Sequence, residues 1–356
     1  MTKNILAITV ATLVSLPVMA LEQGEYKFNA FGTLGISNFG GEENIQYGSQ
    51  GQIEDKWSAL QDSKMGGQFT YGITDKFGLT AQAIIKAEQD TYKANLEWLY
   101  LNYEIQDNWQ VRAGRLRTPI YMLSETLDVG YTYPWIRLPD EVYAQVKLSN
   151  YEGFDTIYNI NLDNVGTLTL QALIGQAKNR DYYAYEELHD IDYDKIYGAN
   201  AVLSTEVGDF RVGYVESKLT FDNPMFGIKD KKGQFTSLGY KYDNGGILNY
   251  TELTRRIVDG GTNTVDSYYT TFGYHIDKFT PHITYAQADE KNGGSQKSLT
   301  YGLSYDLLTN FKLKGEYKRV DTQNGYAGNF VEEGVDIIIP NTYDGNIISF
   351  AVDFVY

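Results

Sequence analysis

The sequence predicts an all-β protein: a transmembrane, antiparallel, up-and-down β-barrel of about 16 strands with one loop folded inward. Three observations support this prediction. Apolar and polar residues alternate with a period of two along many short segments. Short polar turns alternate in strict order with longer connections. The last segment of the chain is an alternating strand that ends on an aromatic residue, Tyr356.

The first twenty residues, 1–20, predict a secretory signal peptide that takes no part in the fold. Lys3 supplies a positive start, residues 5–16 are mainly apolar, and Pro17 precedes a small-residue cleavage site ending at Ala20. A buried helix or a membrane anchor is the alternative, but the apolar run is short and polar residues follow it at once. We therefore expect residues 21–356 to form one barrel.

The composition fits a barrel whose apolar residues are spread singly along strands. Aromatic residues make up 14% of the 356 residues, and cysteine is absent, which excludes disulfides and thiol chemistry. The formal net charge of −16 argues against a nucleic-acid partner. Acidic surface loops are instead compatible with divalent cations held among lipopolysaccharide phosphates. We expect no cofactor and no dedicated metal site.

The C-terminal strand shows the alternation most clearly. One face is apolar and would meet lipid in a membrane or a core in water. That face carries Ile348, Phe350, Val352, Phe354 and Tyr356. The strand before it places three lysines on one face, which a water-filled lumen accepts and a dry core does not. These predicted lumen residues are Lys312, Lys314 and Lys318.

The turns predict the topology. Asn, Asp and Gly, which tolerate positive φ, mark seven short turns at 74–76, 106–108, 163–166, 207–209, 243–246, 276–278 and 308–310. Eight connections lie on the opposite rim, at roughly 39–62, 89–93, 118–150, 179–194, 222–233, 259–263, 289–296 and 321–344. This order gives sixteen strands, which enclose an aqueous channel. A soluble sandwich or propeller is the alternative fold.

The sequence resembles the trimeric general porins of Gram-negative bacteria over nearly all of residues 21–356. Three segments carry the resemblance: the opening strand 26–35, the Gly-Arg segment 111–117, and the terminal aromatic strand. The resemblance implies an outer-membrane location after export, a homotrimer, and contact with outer-membrane lipid and lipopolysaccharide. It also implies that the barrel-assembly machinery reads a C-terminal signal formed by Phe350, Val352, Phe354 and Tyr356.

The chain departs from the porin pattern at two places. It ends in Tyr356, where phenylalanine is most common in the family. The long loop also lacks the usual Pro-Glu-Phe-Gly-Gly stretch, and its nearest counterpart is Pro139-Asp140-Glu141. The charge layout of the channel is therefore left open by the resemblance.

In such porins the loop after the fifth strand folds into the channel, which here predicts a constriction loop at 118–150. Its many aromatic residues favour packing on the inner wall, although packing on a neighbouring subunit is an alternative. The loop would present Glu125, Asp128, Asp140 and Glu141 to the opening, opposite a basic strip of Arg112, Arg115 and Arg117. Alternation separates Arg112 from the other two arginines unless Gly114 provides a bulge; without one, one set points outward, toward a trimer interface.

The favoured function is a water-filled channel for passive diffusion of small hydrophilic solutes and ions, with a slight preference for cations. One alternative is a substrate-specific sugar or oligosaccharide channel, with an aromatic slide of Tyr131, Tyr133, Trp135 and Tyr143. Another is a loop-mediated adhesin or phage receptor. We do not expect an enzyme, because the three histidines, His189, His275 and His282, fall in no catalytic or metal-binding motif.

Overall fold

The computed structural model describes residues 21–42, 45–48, 53–88, 91–184, 187–221, 227–260, 262–291, 293–326, 328–332 and 342–356. The predicted signal peptide at 1–20 lies outside these residues. Within them no helix is long and apolar enough to cross a membrane. The described chain forms eighteen strands: β1 (Tyr26–Gly41), β2 (Ile45–Tyr47), β3 (Lys64–Thr74), β4 (Phe77–Glu88), β5 (Thr91–Gln106), β6 (Trp109–Arg117), β7 (Asn150–Asn161), β8 (Thr167–Ala184), β9 (Glu187–Thr205), β10 (Gly208–Phe221), β11 (Ile228–Asp243), β12 (Ile247–Val258), β13 (Thr262–Tyr274), β14 (Phe279–Glu290), β15 (Ser295–Leu308), β16 (Phe311–Gln323), β17 (Phe330–Glu332) and β18 (Asp344–Val355).

Sixteen of the strands in the described part of the chain close into one antiparallel barrel, which confirms the predicted fold class. Each barrel strand pairs with the next one along the chain, and β18 closes the barrel on β1, with Phe350 opposite Ile36. Closure removes the exposed edges that an open sheet would have. All seven predicted short turns join consecutive barrel strands.

The two faces of the barrel wall differ in polarity. In β18, Phe350 is 53% exposed, whereas Ser349 and Asp353 on the other face are buried. An apolar outer face and a polar inner face suit a barrel that stands in lipid. Aromatic pairs collect near the short-turn rim, as expected of an interfacial girdle: Phe77–Tyr103, Trp109–Tyr158, Phe210–Tyr240, Phe279–Tyr305 and Phe311–Phe354.

Two predicted connections are wrong in extent. Strands β8 and β9 continue as a paired hairpin through most of the predicted loop 179–194, and β11 begins inside the predicted loop 222–233. In these extended parts the strands no longer alternate apolar and polar residues, and polar pairs lie across them instead. Lys178, for example, lies 3.1 Å from Asp192 and 2.5 Å from Asp194. Strands that leave the apolar band keep their backbone pairing without keeping the sequence pattern used to find them.

The first and last long connections pack together at the channel mouth. Strands β2 and β17 form a separate two-stranded sheet in which Tyr47 lies opposite Phe330. Around it lies an apolar group, here called the mouth cluster: Phe39, Ile45, Tyr47, Ile53, Val320, Phe330, Tyr343 and Ile347. The two connections therefore share one small core, although they are separated by most of the sequence.

Candidate functional site: the inward loop and the channel wall

The connection after β6 lies inside the barrel. It contains two short 3-10 turns, at Ser124–Thr126 and Gly130–Thr132, and one turn of α-helix at Asp140–Tyr143. The Trp135 ring is 1% exposed and packs edge-on against Tyr250 and Tyr269. Those tyrosines are buried on inward-facing positions of β12 and β13, while most alternate positions of both strands are half-buried or exposed. The aromatic residues of the loop thus form an apolar core within the lumen.

Charged wall residues hold the backbone of the loop. The Lys314 ammonium donates to the carbonyl oxygens of Gly130 (2.7 Å) and Trp135 (2.6 Å), and it pairs with Asp353 at 2.6 Å. Lys312 donates to the Tyr131 carbonyl oxygen at 3.3 Å. The predicted lumen lysines therefore lie on the inner wall, but all three contact the loop, Lys312 and Lys314 through its carbonyl oxygens and Lys318 through its carboxylates. A cation that is already paired and solvated by carbonyls contributes little to the field seen by a passing ion.

Two wall carboxylates, Glu316 on the same strand as Lys314 and Glu252 on β12, act in the same way on loop N–H groups. Glu316 accepts from the backbone N–H of Ile136 at 2.8 Å, and Glu252 accepts from that of Met122 at 2.7 Å. Glu252 also accepts from the Tyr143 hydroxyl at 2.9 Å. The sequence analysis did not identify either glutamate, because the local pattern shows that a strand residue faces inward but not which loop residue it contacts.

Asp128 and Arg117 form a dry charged group with the wall. Their closest oxygen and nitrogen lie 2.7 Å apart, Glu97 lies 3.5 Å from Arg117, and Lys86 lies 3.6 Å from Asp128. Burial by itself raises the pKa of Asp128, but Lys86 and Arg117 outweigh burial and hold that pKa well below its usual value. This arrangement differs from the expected one, since the loop carboxylate touches the basic wall instead of facing it across open space.

Arg112 and Glu125 are the pair that meets water. Arg112 makes a two-pronged bond with Asp155 (2.8 and 2.5 Å), and it lies 3.9 Å from Glu125. The Glu125 side chain is 40% exposed, which makes it the most exposed of the four predicted loop carboxylates. Burial raises the pKa of Glu125, and the nearby charges of Arg112 and Arg117 lower it only in part.

Arg115 points away from the channel, contrary to expectation. It pairs in register with Leu99, which is lipid-exposed, and it binds Glu152 at 2.7 Å on the outer wall. Gly114 has a positive φ of 136° but causes no shift of register with either neighbouring strand, so alternation is kept. Arg112 and Arg115 therefore lie on opposite faces, as strict alternation requires.

Arg117 should share the outer face with Arg115 but turns inward. It is the last residue of β6, and its partner Glu97 faces inward beside a bulge, where the β4–β5 register shifts between Gln82 and Ala83. The bulge directs Glu97 inward, and Arg117, at the end of its own strand, turns inward to pair with Glu97 and Asp128. The sequence around Glu97 carries no glycine or proline that would have indicated this bulge.

Asp140 and Glu141 contact Lys318, which lies 2.9 Å from the first and 3.6 Å from the second. The Tyr47 hydroxyl, from the mouth cluster, joins the same group. Asp140 keeps some exposure, whereas Glu141 is buried. Burial raises the pKa of Asp140, and Lys318 outweighs this and lowers it below the usual value. These two carboxylates therefore position the loop more than they line an opening.

The histidines do not form a chemical site. His275 lies 3.1 Å from Asp243 and bonds Thr280 near the short-turn rim, His282 is buried 3.8 Å from Glu316, and His189 packs against Phe221. They lie in three separate environments. Among the described residues, no group of His, Asp and Glu has the geometry to hold a metal ion.

The closed barrel with an apolar outer face and a polar inner face defines the class of protein: an outer-membrane channel. Residues 7–325 match the family model described as Gram-negative porin. This match covers most of the sequence, and the chain belongs to the Gram-negative porin family. It is a channel of the outer membrane for small solutes, as the fold independently supports. No curated protein matches the sequence.

Solved structures share the fold at low sequence identity. OmpT of Vibrio cholerae is 12% identical, with a TM-score of 0.60 over 95% of this chain and 100% of that chain. The outer membrane channel DcaP of Acinetobacter baumannii is 11% identical, with a TM-score of 0.64 over 95% of this chain and 100% of that one. An anion-selective porin from Comamonas acidovorans is 12% identical, with a TM-score of 0.61 over 93% and 100%.

Proposed function

We propose that this porin is a passive diffusion channel whose narrowest part is set by the loop 118–150, with Arg112 and Glu125 as the charged pair that permeating solutes meet. The observation that carries the proposal is the exposure of Glu125. Its side chain faces water, whereas the other loop carboxylates are mostly paired with basic residues of the wall. A charge beside a narrow aqueous path sets ion preference. Because Arg112 is largely covered and already bound to Asp155, Glu125 is the stronger influence.

The proposed preference is weakly cationic. Lys314, Lys318 and Arg117 are each paired with carboxylates, so these three basic residues do not present free positive charge at the loop. Single-channel currents in a planar bilayer with a potassium chloride gradient test this. We expect stable conductance that rises linearly with salt and a reversal potential of the cation-preferring sign. Saturating transport of a single solute class, or an anion-preferring sign, would overturn the proposal.

The substrate-specific alternative is less well supported. It needs aromatic rings that face the solute path, but Tyr133 and Trp135 are buried in the packing of the loop. Tyr143 directs its hydroxyl to Glu252, which positions it as a structural contact. Only Tyr131 and Tyr143 keep partial exposure among the four residues of the expected slide. Two separated rings do not make a continuous track for a sugar.

We propose that the protein assembles as a homotrimer. An OmpT structure described as a trimer form is 14% identical and has a TM-score of 0.57 to this chain. Strands near the closure of the barrel carry large exposed apolar residues, Leu34, Met65, Leu99 and Phe350, that a neighbouring subunit or lipid would cover. Light scattering of the detergent-solubilised protein should give three times the protein mass of one chain. A single-chain mass under all mild detergents would contradict the trimer.

We propose that the chain is inserted by the barrel-assembly machinery and lies among outer-membrane lipid and lipopolysaccharide. Phe350 and its alternate neighbours on β18 form the apolar face proposed as the signal for the barrel-assembly machinery, and Tyr356 is strongly exposed at its end. Contact with outer-membrane lipid and lipopolysaccharide follows from the apolar outer wall. We propose no catalytic reaction for this chain.

A further inference from the structure

The mouth cluster contains one residue whose ring and hydroxyl have different surroundings. The Tyr47 ring is 1% exposed and packs against Phe39 and Phe330, at centroid distances of 6.5 and 5.2 Å. Its hydroxyl leaves this apolar group and reaches the loop inside the barrel. It donates to Asp140 at 3.1 Å and accepts from Lys318 (2.9 Å) and Gln296 (3.2 Å).

These three bonds use all of the hydrogen-bonding capacity of a phenol, which has one proton and two lone pairs. The partners are joined to each other as well. Lys318 lies 2.9 Å from Asp140, Gln296 donates to Glu141 at 2.8 Å, and the Gln296 carbonyl oxygen accepts from the Asn329 N–H at 2.8 Å. The mouth connections, two wall strands and the helical turn of the inward loop therefore meet at one phenolic oxygen.

A second contact ties the first long connection to the same part of the loop. Asp62, just before β3, binds Arg137 through both of its carboxylate oxygens at 2.6 and 2.7 Å. Arg137 also donates to Ser37 and Ser349 on the wall. Residues 137–141 are thus held from the extracellular side at two points, Asp62 and Tyr47.

We propose that Tyr47 is a positioning residue for the constriction: it latches residues 137–141 of the inward loop to the extracellular mouth. The mouth cluster then helps to determine how wide the channel is and how firmly the loop keeps its position. A buried hydrogen-bonded group of this kind is costly to break at one member, because the remaining polar atoms lose partners without gaining water. Tyr47 touches no permeating solute in this assignment and acts through Asp140 and Lys318.

The inference rests on the proposed constriction role of the loop, so its test does not depend on conductance. The chain has no cysteine, and Val142, in the same helical turn, is 0% exposed. In a Val142→Cys protein, a water-soluble methanethiosulfonate reagent reaches the thiol only when the loop leaves the wall. Adding Tyr47→Phe should raise the modification rate about five-fold, the effect expected from losing the one of its three hydrogen bonds that reaches the loop, the bond to Asp140.

Tyr240→Phe is the matched control, because it removes a tyrosine hydroxyl that donates to the Val207 carbonyl oxygen (2.8 Å) at the far rim. Asp140→Ala removes the acceptor of the Tyr47 hydroxyl and should also raise the rate, and combining it with Tyr47→Phe should add little, since both changes break the same contact. Equal rates in Tyr47→Phe and Tyr240→Phe would overturn the latch, as would full additivity with Asp140→Ala. If Tyr47→Phe raises the modification rate but the bilayer currents do not behave as proposed, the latch stands and only the proposed role of the loop in conductance is refuted.

Discussion

Arg112 and Glu125 lie 3.9 Å apart, one on the barrel wall and the other on the loop inside it, and their contact remains open to water on the glutamate side. On the opposite face of the same strand, Arg115 and Glu152 lie 2.7 Å apart. The inner pair belongs to the channel and the outer pair does not. Because the two glutamate side chains are almost equally exposed, at 40% and 41%, Glu152 provides a control for Glu125.

Replacing Glu125 with glutamine should shift the reversal potential in a salt gradient toward anion preference, because it removes the most exposed negative charge at the loop. The measurement is single-channel or multichannel current in a planar bilayer. Glu152→Gln is the control and should leave the potential unchanged, since Glu152 lies on the outer wall. Equal shifts in the two variants would show that the loop pair has no special position.

The same selectivity should weaken as the solution is made mildly acidic. Burial raises the pKa of Glu125, so this carboxyl takes up a proton at a higher pH than an ordinary glutamate, whose pKa is about 4.3. The protonated form is neutral, and cation preference should therefore fall as the pH is lowered through the raised pKa. In the Glu125→Gln channel this part of the pH dependence should be absent. If it persists, another group is titrating.

Replacing Arg117 with methionine should destabilise the folded barrel by about 3–5 kcal/mol, because Asp128 and Glu97 would stay buried without their partner. The change is measured by denaturant unfolding in detergent. Arg115→Met is the control and should cost about 0–1 kcal/mol, as its pair with Glu152 is partly exposed. A cost for Arg117 no larger than that for Arg115 would contradict the dry charged group.

Replacing Trp135 with alanine should loosen the loop and increase both the conductance and the current noise of the channel. The ring is buried against Tyr250 and Tyr269, and truncating such a residue costs about 3–5 kcal/mol. Trp109→Ala removes an exposed tryptophan at the short-turn rim and should leave the conductance as it is. A Trp135→Ala channel with unchanged conductance and noise would show that the loop does not limit flow.

The strand count, the turns and the closing strand could be predicted because each depends on neighbouring residues. Asp75, Asp107 and Asn310 lie in tight turns that are favoured by the residues of the turn itself. The site depends on distant pairs, which no local pattern contains: Lys314 binds Gly130 across 184 positions, and Tyr47 binds Asp140 across 93. The inward turn of Arg117 goes with a bulge at Glu97 in the neighbouring strand β5, which no glycine or proline marks in the sequence. Alternation alone correctly separated Arg112 from Arg115.

The residues that hold the loop and the loop carboxylate that is most exposed are different side chains. Lys314, Glu316 and Glu252 bind the backbone of the loop, whereas Glu125 is bound by little and holds nothing in place. The charge at position 125 can therefore be exchanged without rebuilding the contacts that hold the loop. If this carboxylate sets the ion preference as proposed, that preference can be altered by a single substitution while the barrel stays intact.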